Sequence, residues 1–407
     1  MFENNIPKEV TFIIDTLYSN KFEAYIVGGC VRDLILGRTP KDFDISTSAK
    51  PTDIIKIFDT TIPTGIQHGT VTVVVNDIPF EVTTFRGNEI YTNHRQPDSV
   101  NFIDNLNDDL KRRDLTINAM AYSNTSGLID IFGGISDINN RCIRIIGDAN
   151  SRFIEDALRM LRTIRFSCEL DFSIESSTLN AISKNAHLIK SISAFRIYSE
   201  FEKSLLSDNS EKFILYHITG LLQYILPDIY TFSNTLNILN TALCYIRNSP
   251  KDIDIRLAIL FYMFEPKLNN ILNKLNLNNK SIKTISTLIA YKNYNFNNSP
   301  YNVKILINKI GIPTFLKLLD FLKSINSNVD YTNVYETYNR IILNDEPIFL
   351  SDLKITGSDI QKLGINGANI GKVLNKLLIH CYNNPEDNKV SRLMDIAKEI
   401  QKQEKEQ

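Results

Sequence analysis

The chain has 407 residues, 43% of them hydrophobic, and a formal net charge of −1. That length accommodates two to four domains with sizeable cores. No apolar run of about 18 residues exists, so no membrane span is expected, and the near-neutral charge leaves any RNA surface to a local basic patch. Five cysteines, at 30, 142, 168, 244 and 381, are scattered without CxxC spacing. They argue against a zinc ribbon and a disulfide framework and fit a reducing cytoplasm. The first residues show no secretory signal pattern.

Residues 7–20 read as an amphipathic helix with Val10, Ile13, Ile14 and Leu17 on one face. Residues 23–27 read as a strand running into Gly28-Gly29. A helix with an early Arg32 follows, then a Gly/Pro loop and a second strand carrying Asp42-Phe43-Asp44. Alternation along a strand points Asp42 and Asp44 the same way. Two such carboxylates repel unless a cation sits between them, and hard oxygen ligands suit Mg²⁺. Gly28 and Gly29 lack a Cβ, so their N–H groups can approach a phosphate closely. A metal pair beside an anion cradle points to nucleotidyl transfer.

Residues 51–58 read as a helix with Pro51 in its first turn. Residues 65–69 read as a turn, with His68 a turn residue, before a strand from Thr70 to Val75. Asn76-Asp77 is a hairpin turn, and the returning strand, residues 79–86, carries Glu81. A carboxylate inside an apolar strand is costly to bury without a partner or a metal. A strand beside the Asp-Phe-Asp strand can deliver Glu81 to the same cations, as the third carboxylate that two-metal transfer wants. Residues 87–105 form a polar loop too long to be a simple connector, hence functional or disordered. Arg113, Asp114 and Asn118 then form a basic–acidic cluster suited to triphosphate and ribose. Short strands at 119–122 and 128–131 lead to Gly133-Gly134, read as a turn.

From about residue 148 the pattern is helical. Residues 152–166 read as one helix, with Asp156, Arg159 and Arg162 spaced by three along one face. An Asp oxygen accepts from the amino group of cytosine or adenine, and an Arg donates to the ring nitrogen. Uracil and guanine set a carbonyl against the Asp and leave two acceptors unsatisfied. One Asp–Arg pair can therefore select C and A without a template.

Gly28-Gly29-Cys30-Val31-Arg32-Asp33, Asp42-Phe43-Asp44, the Val82-Thr83-Thr84-Phe85-Arg86 that follows Glu81, Arg112-Arg113-Asp114-Leu115-Thr116-Ile117-Asn118-Ala119 and Glu155-Asp156-Ala157-Leu158-Arg159 resemble the signatures of the class II tRNA nucleotidyltransferase/poly(A) polymerase family of the polymerase-β superfamily. The resemblance implies an α+β chain. A polymerase-β-like head with a mixed sheet (1–147) precedes a helical neck (148–206), body (207–300) and tRNA-binding tail (301–407). It implies two Mg²⁺ held by Asp42 and Asp44, with Glu81 as third catalytic carboxylate. Gly28, Gly29 and Arg32 then take phosphates, and Arg113, Asp114 and Asn118 the triphosphate and sugar. Asp156 and Arg159 read the base, and Arg162 and Arg165 continue toward the triphosphate. The loop at 87–105 looks like the family's flexible loop, which CC-only enzymes lack.

The expected activity is template-independent addition or repair of the 3′ CCA of tRNA from CTP and ATP, with release of pyrophosphate, by a monomer or homodimer. A-only addition and poly(A) synthesis share the same motifs. A non-catalytic RNA-binding relative is the reading of another class, and the intact Asp42 and Asp44 speak against it. Residues 193–206 resemble the end of the family's neck. Beyond 206 the likeness is carried by pattern: residues 234–236 and 258–266 hold no His-Asp pair, so no second hydrolase site is expected. Residues 350–383 resemble the tail, with Lys354, Lys362 and Lys372 as candidate RNA-backbone contacts. Residues 397–407 are expected to fray.

Overall fold

Helix α1, Lys8–Ser19, buries Val10, Ile13, Ile14 and Leu17, the face that their spacing predicts. It leads into strand β1, Ala24–Val27, buried along its whole length. Helix α2, Gly29–Ile35, strand β2, Ile45–Thr47, and helix α3, Pro51–Ile57, follow. Strands β3, Thr61–Gly65, β4, Thr70–Val75, and β5, Ile78–Thr84, complete one side of a sheet. Helix α4 is Leu106–Lys111, and strands β6, Met120–Ser123, and β7, Gly127–Asp130, close the other side. In this computed structural model the described residues are 5–87, 101–297, 299–326 and 328–406. The expected flexible loop falls largely at 88–100, outside them.

The seven strands lie in the order β3-β4-β5-β2-β1-β6-β7. Within this sheet, among the described residues, only β2 and β5 pair in parallel; β1 is antiparallel to both β2 and β6. The head is thus a mixed sheet and the remainder is mostly helical, an α+β chain as expected. Asn76 and Asp77 both take positive φ in the two-residue β4–β5 turn, the backbone that a tight hairpin demands. Strand β3 has no counterpart in the sequence reading. It is an edge strand with a Pro and mostly exposed side chains, so it shows no apolar alternation.

Three local expectations need correcting. Asp42 and Asp44 lie in the segment just before β2, not within it, although the Val27 N–H still donates to the Asp44 carbonyl at 3.0 Å. Gly133-Gly134 is not only a turn: Gly133 is left-handed (φ 74°) and Gly134 opens helix α5, Gly134–Asn139. The helix expected over 152–166 is two helices, α6, Ala149–Glu155, and α7, Leu158–Leu170. The break falls at Asp156, which is extended (φ −143°, ψ 104°) and whose carboxylate accepts from the Leu158 N–H at 3.0 Å. Asp156 acts there as a helix cap, an alternative to helical backbone that its short acceptor side chain favours.

Helices α8, Ser176–Asn185, and α9, Ala194–Leu206, follow α7. A short parallel pair, β8, Cys142–Ile143, with β9, Ser173–Ile174, ties the end of the head to the chain after α7.

The chain divides into two compact units, Met1–Arg247 with Pro266–Leu277, and Asn248–Glu265 with Asn278–Gln407. The expected head–neck boundary lies inside the first and the expected body–tail boundary inside the second. The second unit is helical. One of its clusters buries Ile360, Val373, Leu377, Cys381 and Leu393. Its last helix runs from Val390 to Glu406 and seats Leu393 and Ala397 in that cluster, so residues 397–406 are helical rather than frayed. Among the described residues no helix is long and apolar enough to cross a membrane.

Candidate active site

The site begins at Gly28, where β1 ends. Its φ of 78° with ψ −126° is a conformation that side chains resist. A Cβ there would stand 2.9 Å from Arg113 Nη1. The Gly28 N–H donates to the Met120 carbonyl at 3.1 Å, which ties the turn to β6. Four residues on, Arg32 is buried; its Nη1 donates to Asn118 Oδ1 at 2.6 Å and its Nη2 to Asp33 Oδ1 at 2.8 Å. Two motifs 86 residues apart thereby share one guanidinium.

Asp109 is fully buried at the end of α4. It accepts from Arg112 Nη2 at 2.6 Å, from Arg113 Nη2 at 3.2 Å and from the Arg86 N–H at 3.1 Å. Burial alone would raise its pKa; Arg113 and Arg112 outweigh burial and hold it low. Arg113 also reaches Ser46 Oγ at 3.3 Å, while its Nε is buried with no acceptor. Asp114 accepts from the Leu115 N–H at 2.8 Å and from Arg162 Nε at 2.6 Å. Burial again opposes ionisation, and the Arg162 charge overrides it, holding Asp114 well below the usual carboxylate range. The same segment is braced from behind. Thr116 Oγ1 donates to Asp137 at 2.6 Å, and Gly134 packs so closely that a Cβ would meet the Thr116 carbonyl at 2.5 Å.

Asp42 and Asp44 are exposed at the mouth of this cluster. The parallel register pairs Ile45 with Val82, which sets Asp44 beside Glu81. Desolvation first, then the negative charge of Asp42 and, more weakly, of Glu81, raise the Asp44 carboxyl, against the pull of Arg113. Among the described residues no three acidic, His or Cys side chains already converge as a ready metal cluster. The two aspartates and Glu81 share a neighbourhood without forming one.

Helix α7 supplies the facing wall. Arg162 holds Asp114, and Arg165 donates to Glu200 at 2.5 Å and to Glu169 at 2.9 Å. Arg159 is buried and donates to Glu155 at 2.7 Å and to the Arg152 carbonyl at 3.1 Å. Asp156 lies 3.8 Å from Arg196, not against Arg159.

One cavity of about 940 Å³ gathers most of these groups. Gly28, Gly29, Arg32, Asp42 and Asp44 line it, as do Arg113, Asp114 and Asn118. Arg162 and Arg165 line it from α7. Glu81, Asp156 and Arg159 are not among its lining residues. Phe166, Glu169, Lys203, Arg38 and Lys41 are, and the sequence reading assigned none of them a role. Arg38 and Lys41 flank Thr39-Pro40 in the loop before Asp42, a cue that was available. Lys203 is indistinguishable in sequence from a solvated lysine.

Residues 24–144 match the family described as poly A polymerase head domain, and residues 171–232 the family described as probable RNA and SrmB-binding site of polymerase A. A CCA-adding enzyme of Ligilactobacillus salivarius is 34% identical over 391 residues, covering 93% of each chain. One of Staphylococcus aureus is 41% identical over 283 residues, 69% of this chain and 68% of that protein. The crystal structure of the Bacillus stearothermophilus CCA-adding enzyme in complex with CTP superposes with a TM-score of 0.84 at 30% identity, covering 98% of both chains. With its head, its cavity and the arginines of α7 arranged as described, the chain belongs to the family of CCA-adding enzymes.

Proposed function

We propose that the chain builds or repairs the 3′ CCA of tRNA from CTP and ATP, one nucleotide at a time, without a nucleic-acid template. The observation that carries this reading is the single cavity that gathers Asp42 and Asp44, the arginines of the Gly28–Asn118 cluster, and Arg162 and Arg165. A nucleoside triphosphate needs all three: an anionic pair for cations, donors for phosphates, and a wall to seat it. The buried Arg113 Nε without an acceptor is a donor that a phosphate or sugar oxygen would satisfy.

The donor set fits Mg²⁺. Asp42 and Asp44 offer hard carboxylate oxygens, and the mutual repulsion that raises Asp44 is what a divalent cation relieves. Asp42 and Asp44 would hold the two ions, with Glu81 at the next register position as third carboxylate. When bound, the ions supply Lewis acidity to the attacking hydroxyl and neutralise charge on the leaving pyrophosphate. The oxygen of the terminal 3′ hydroxyl bonds to the α-phosphorus, the α–β phosphoanhydride bond breaks, and the hydroxyl proton is released. The protein's share is positioning and charge. Arg32, Arg113, Arg162 and Arg165 hold the triphosphate, and Asp114 and Asn118 orient the arginines and the sugar.

Asp156 and Arg159 read the base. Their support is position: Asp156 stands at the break before α7 and Arg159 in the first turn of α7, six and three residues before Arg162. A nucleotide whose phosphates lie on Arg162 and Arg165 therefore reaches back toward them. The scattered free cysteines fit a cytoplasmic enzyme. The test is Mg²⁺-dependent transfer of labelled CTP to a tRNA transcript lacking CCA, with Asp42→Ala as control. Transfer lost in the control supports the reading. No transfer by the wild type moves it to a non-catalytic RNA-binding relative.

A further inference from the structure

Among the described residues lining the cavity, Phe166 is the only aromatic, and it is 6% exposed. Three guanidinium groups stand within cation–π reach of its ring. Arg165 lies 4.0 Å from the centroid, Arg32 5.1 Å and Arg162 5.6 Å. They come from two separate elements, α2 and α7. All three line the same cavity.

Each guanidinium also has a polar partner: Asp33 and Asn118 for Arg32, Asp114 for Arg162, Glu169 and Glu200 for Arg165. Those partners neutralise charge, but they do not give three long side chains a common origin. Three like charges brought around one point repel. The electron-rich face of an aromatic ring is a group that attracts all of them while forming no competing ion pair with a phosphate. A carboxylate in the same place would bind the arginines and also repel the triphosphate. An aliphatic side chain would fill the space and orient nothing.

A second use of a cavity aromatic is stacking on a base. A ring with three guanidiniums within cation–π reach is already engaged, so the geometry favours the arginines. We propose that Phe166 is a positioning residue: its ring fixes the fan of Arg32, Arg162 and Arg165 that grips the polyphosphate of the incoming nucleotide. This rests on the nucleotidyltransferase reading above, and it adds to that reading a residue that touches no reacting atom.

The test compares wild type, Phe166→Leu and Phe166→Tyr; Phe166→Met, another flexible apolar replacement, substitutes for the Leu variant if that variant fails to fold. Three quantities are measured: KM and kcat for CTP and for ATP, binding of inorganic tripolyphosphate by calorimetry with Mg²⁺, and Tm. Loss of ring attraction is expected to raise KM for CTP and ATP by the same factor, about five- to tenfold, with kcat changed by less than about twofold, because the phosphate grip acts on ground and transition states alike. Tripolyphosphate binding weakens by that same factor, and Phe166→Tyr, which keeps the ring, restores all values to within about twofold. A Leu variant with lower Tm but unchanged KM and unchanged tripolyphosphate binding makes Phe166 a packing residue and overturns the proposal. Unequal effects on CTP and ATP assign the ring to the base and overturn it too, as does failure of Tyr to rescue. Tripolyphosphate binding needs no turnover. A wild type that binds it but transfers no nucleotide sinks the activity reading alone, and Leu then still decides the role of the ring.

Discussion

Asp114 and Arg162 form a 2.6 Å ion pair that joins the segment after α4 to helix α7. Asp114 caps its own turn through the Leu115 N–H while it holds Arg162 toward the cavity. One carboxylate therefore ties together two walls of the cavity.

Asp114→Asn is expected to destabilise the protein by about 2 kcal/mol at pH 7, below the 3–5 of a fully buried pair because Arg162 is partly exposed. The sign with pH follows from the direction of the shift. A carboxyl held below its usual range in the folded state stabilises fully above that range, and loses its contribution as pH falls through the folded value. The Tm gap between wild type and variant is thus widest at neutral pH and shrinks in acid. Thermal unfolding from pH 7 down to pH 2 reads it.

Gly133 and Gly134 separate two uses of glycine. Gly133 has open space around it and needs only its positive φ, so Gly133→Ala is expected to cost about 1 kcal/mol. Gly134 lies against the Thr116 carbonyl, backbone that cannot swing aside, and Gly134→Ala is expected to cost about 2–3 kcal/mol. The same variant displaces the segment carrying Arg113 to Asn118, so KM for nucleotide rises with it. Denaturant unfolding and steady-state kinetics on both variants test the order.

Asp156→Asn separates capping from base reading. Asn caps a helix about as well as Asp, so stability is expected to change by less than about 0.5 kcal/mol. The carboxamide carries a donor as well as an acceptor, so it no longer rejects the uracil carbonyl. Incorporation of UTP relative to CTP is expected to rise about tenfold or more. Asp156→Ala is expected to lose the cap and, if the proposed base reading holds, the discrimination as well.

Asp42→Ala and Asp44→Ala are expected to lower incorporation by about a hundredfold or more while leaving the fold intact, since neither carboxylate is buried in a core. Glu81→Gln is expected to cost less than either, because Glu81 stands beside the cavity lining rather than in it. Initial rates across a Mg²⁺ titration compare the three variants.

The head sheet was legible in the sequence, as were ten of the residues that line the cavity, because the signals there are local. Gly28 needs a positive φ, Asn76-Asp77 must turn, and buried apolar positions repeat with the period of their element. What is set by distant partners was not legible. Arg32 meets Asn118 across 86 residues of sequence and Phe166 across 134; neither contact leaves a trace in local pattern. The break at Asp156 was hidden because Glu155 to Arg159 keep helical spacing through the interruption. Strand β3 was hidden because an exposed edge carries no alternation.

The most direct measurement is incorporation on three tRNA transcripts, ending before CCA, after the first C and after CC, with CTP and ATP supplied separately and together. The expected result is completion of each transcript to CCA and no further, with CTP alone giving at most the two C residues and Asp42→Ala giving none. A alone added to the CC-ended transcript, or long A tails on any of the three, would contradict CCA synthesis and make the chain an A-adding enzyme or a poly(A) polymerase.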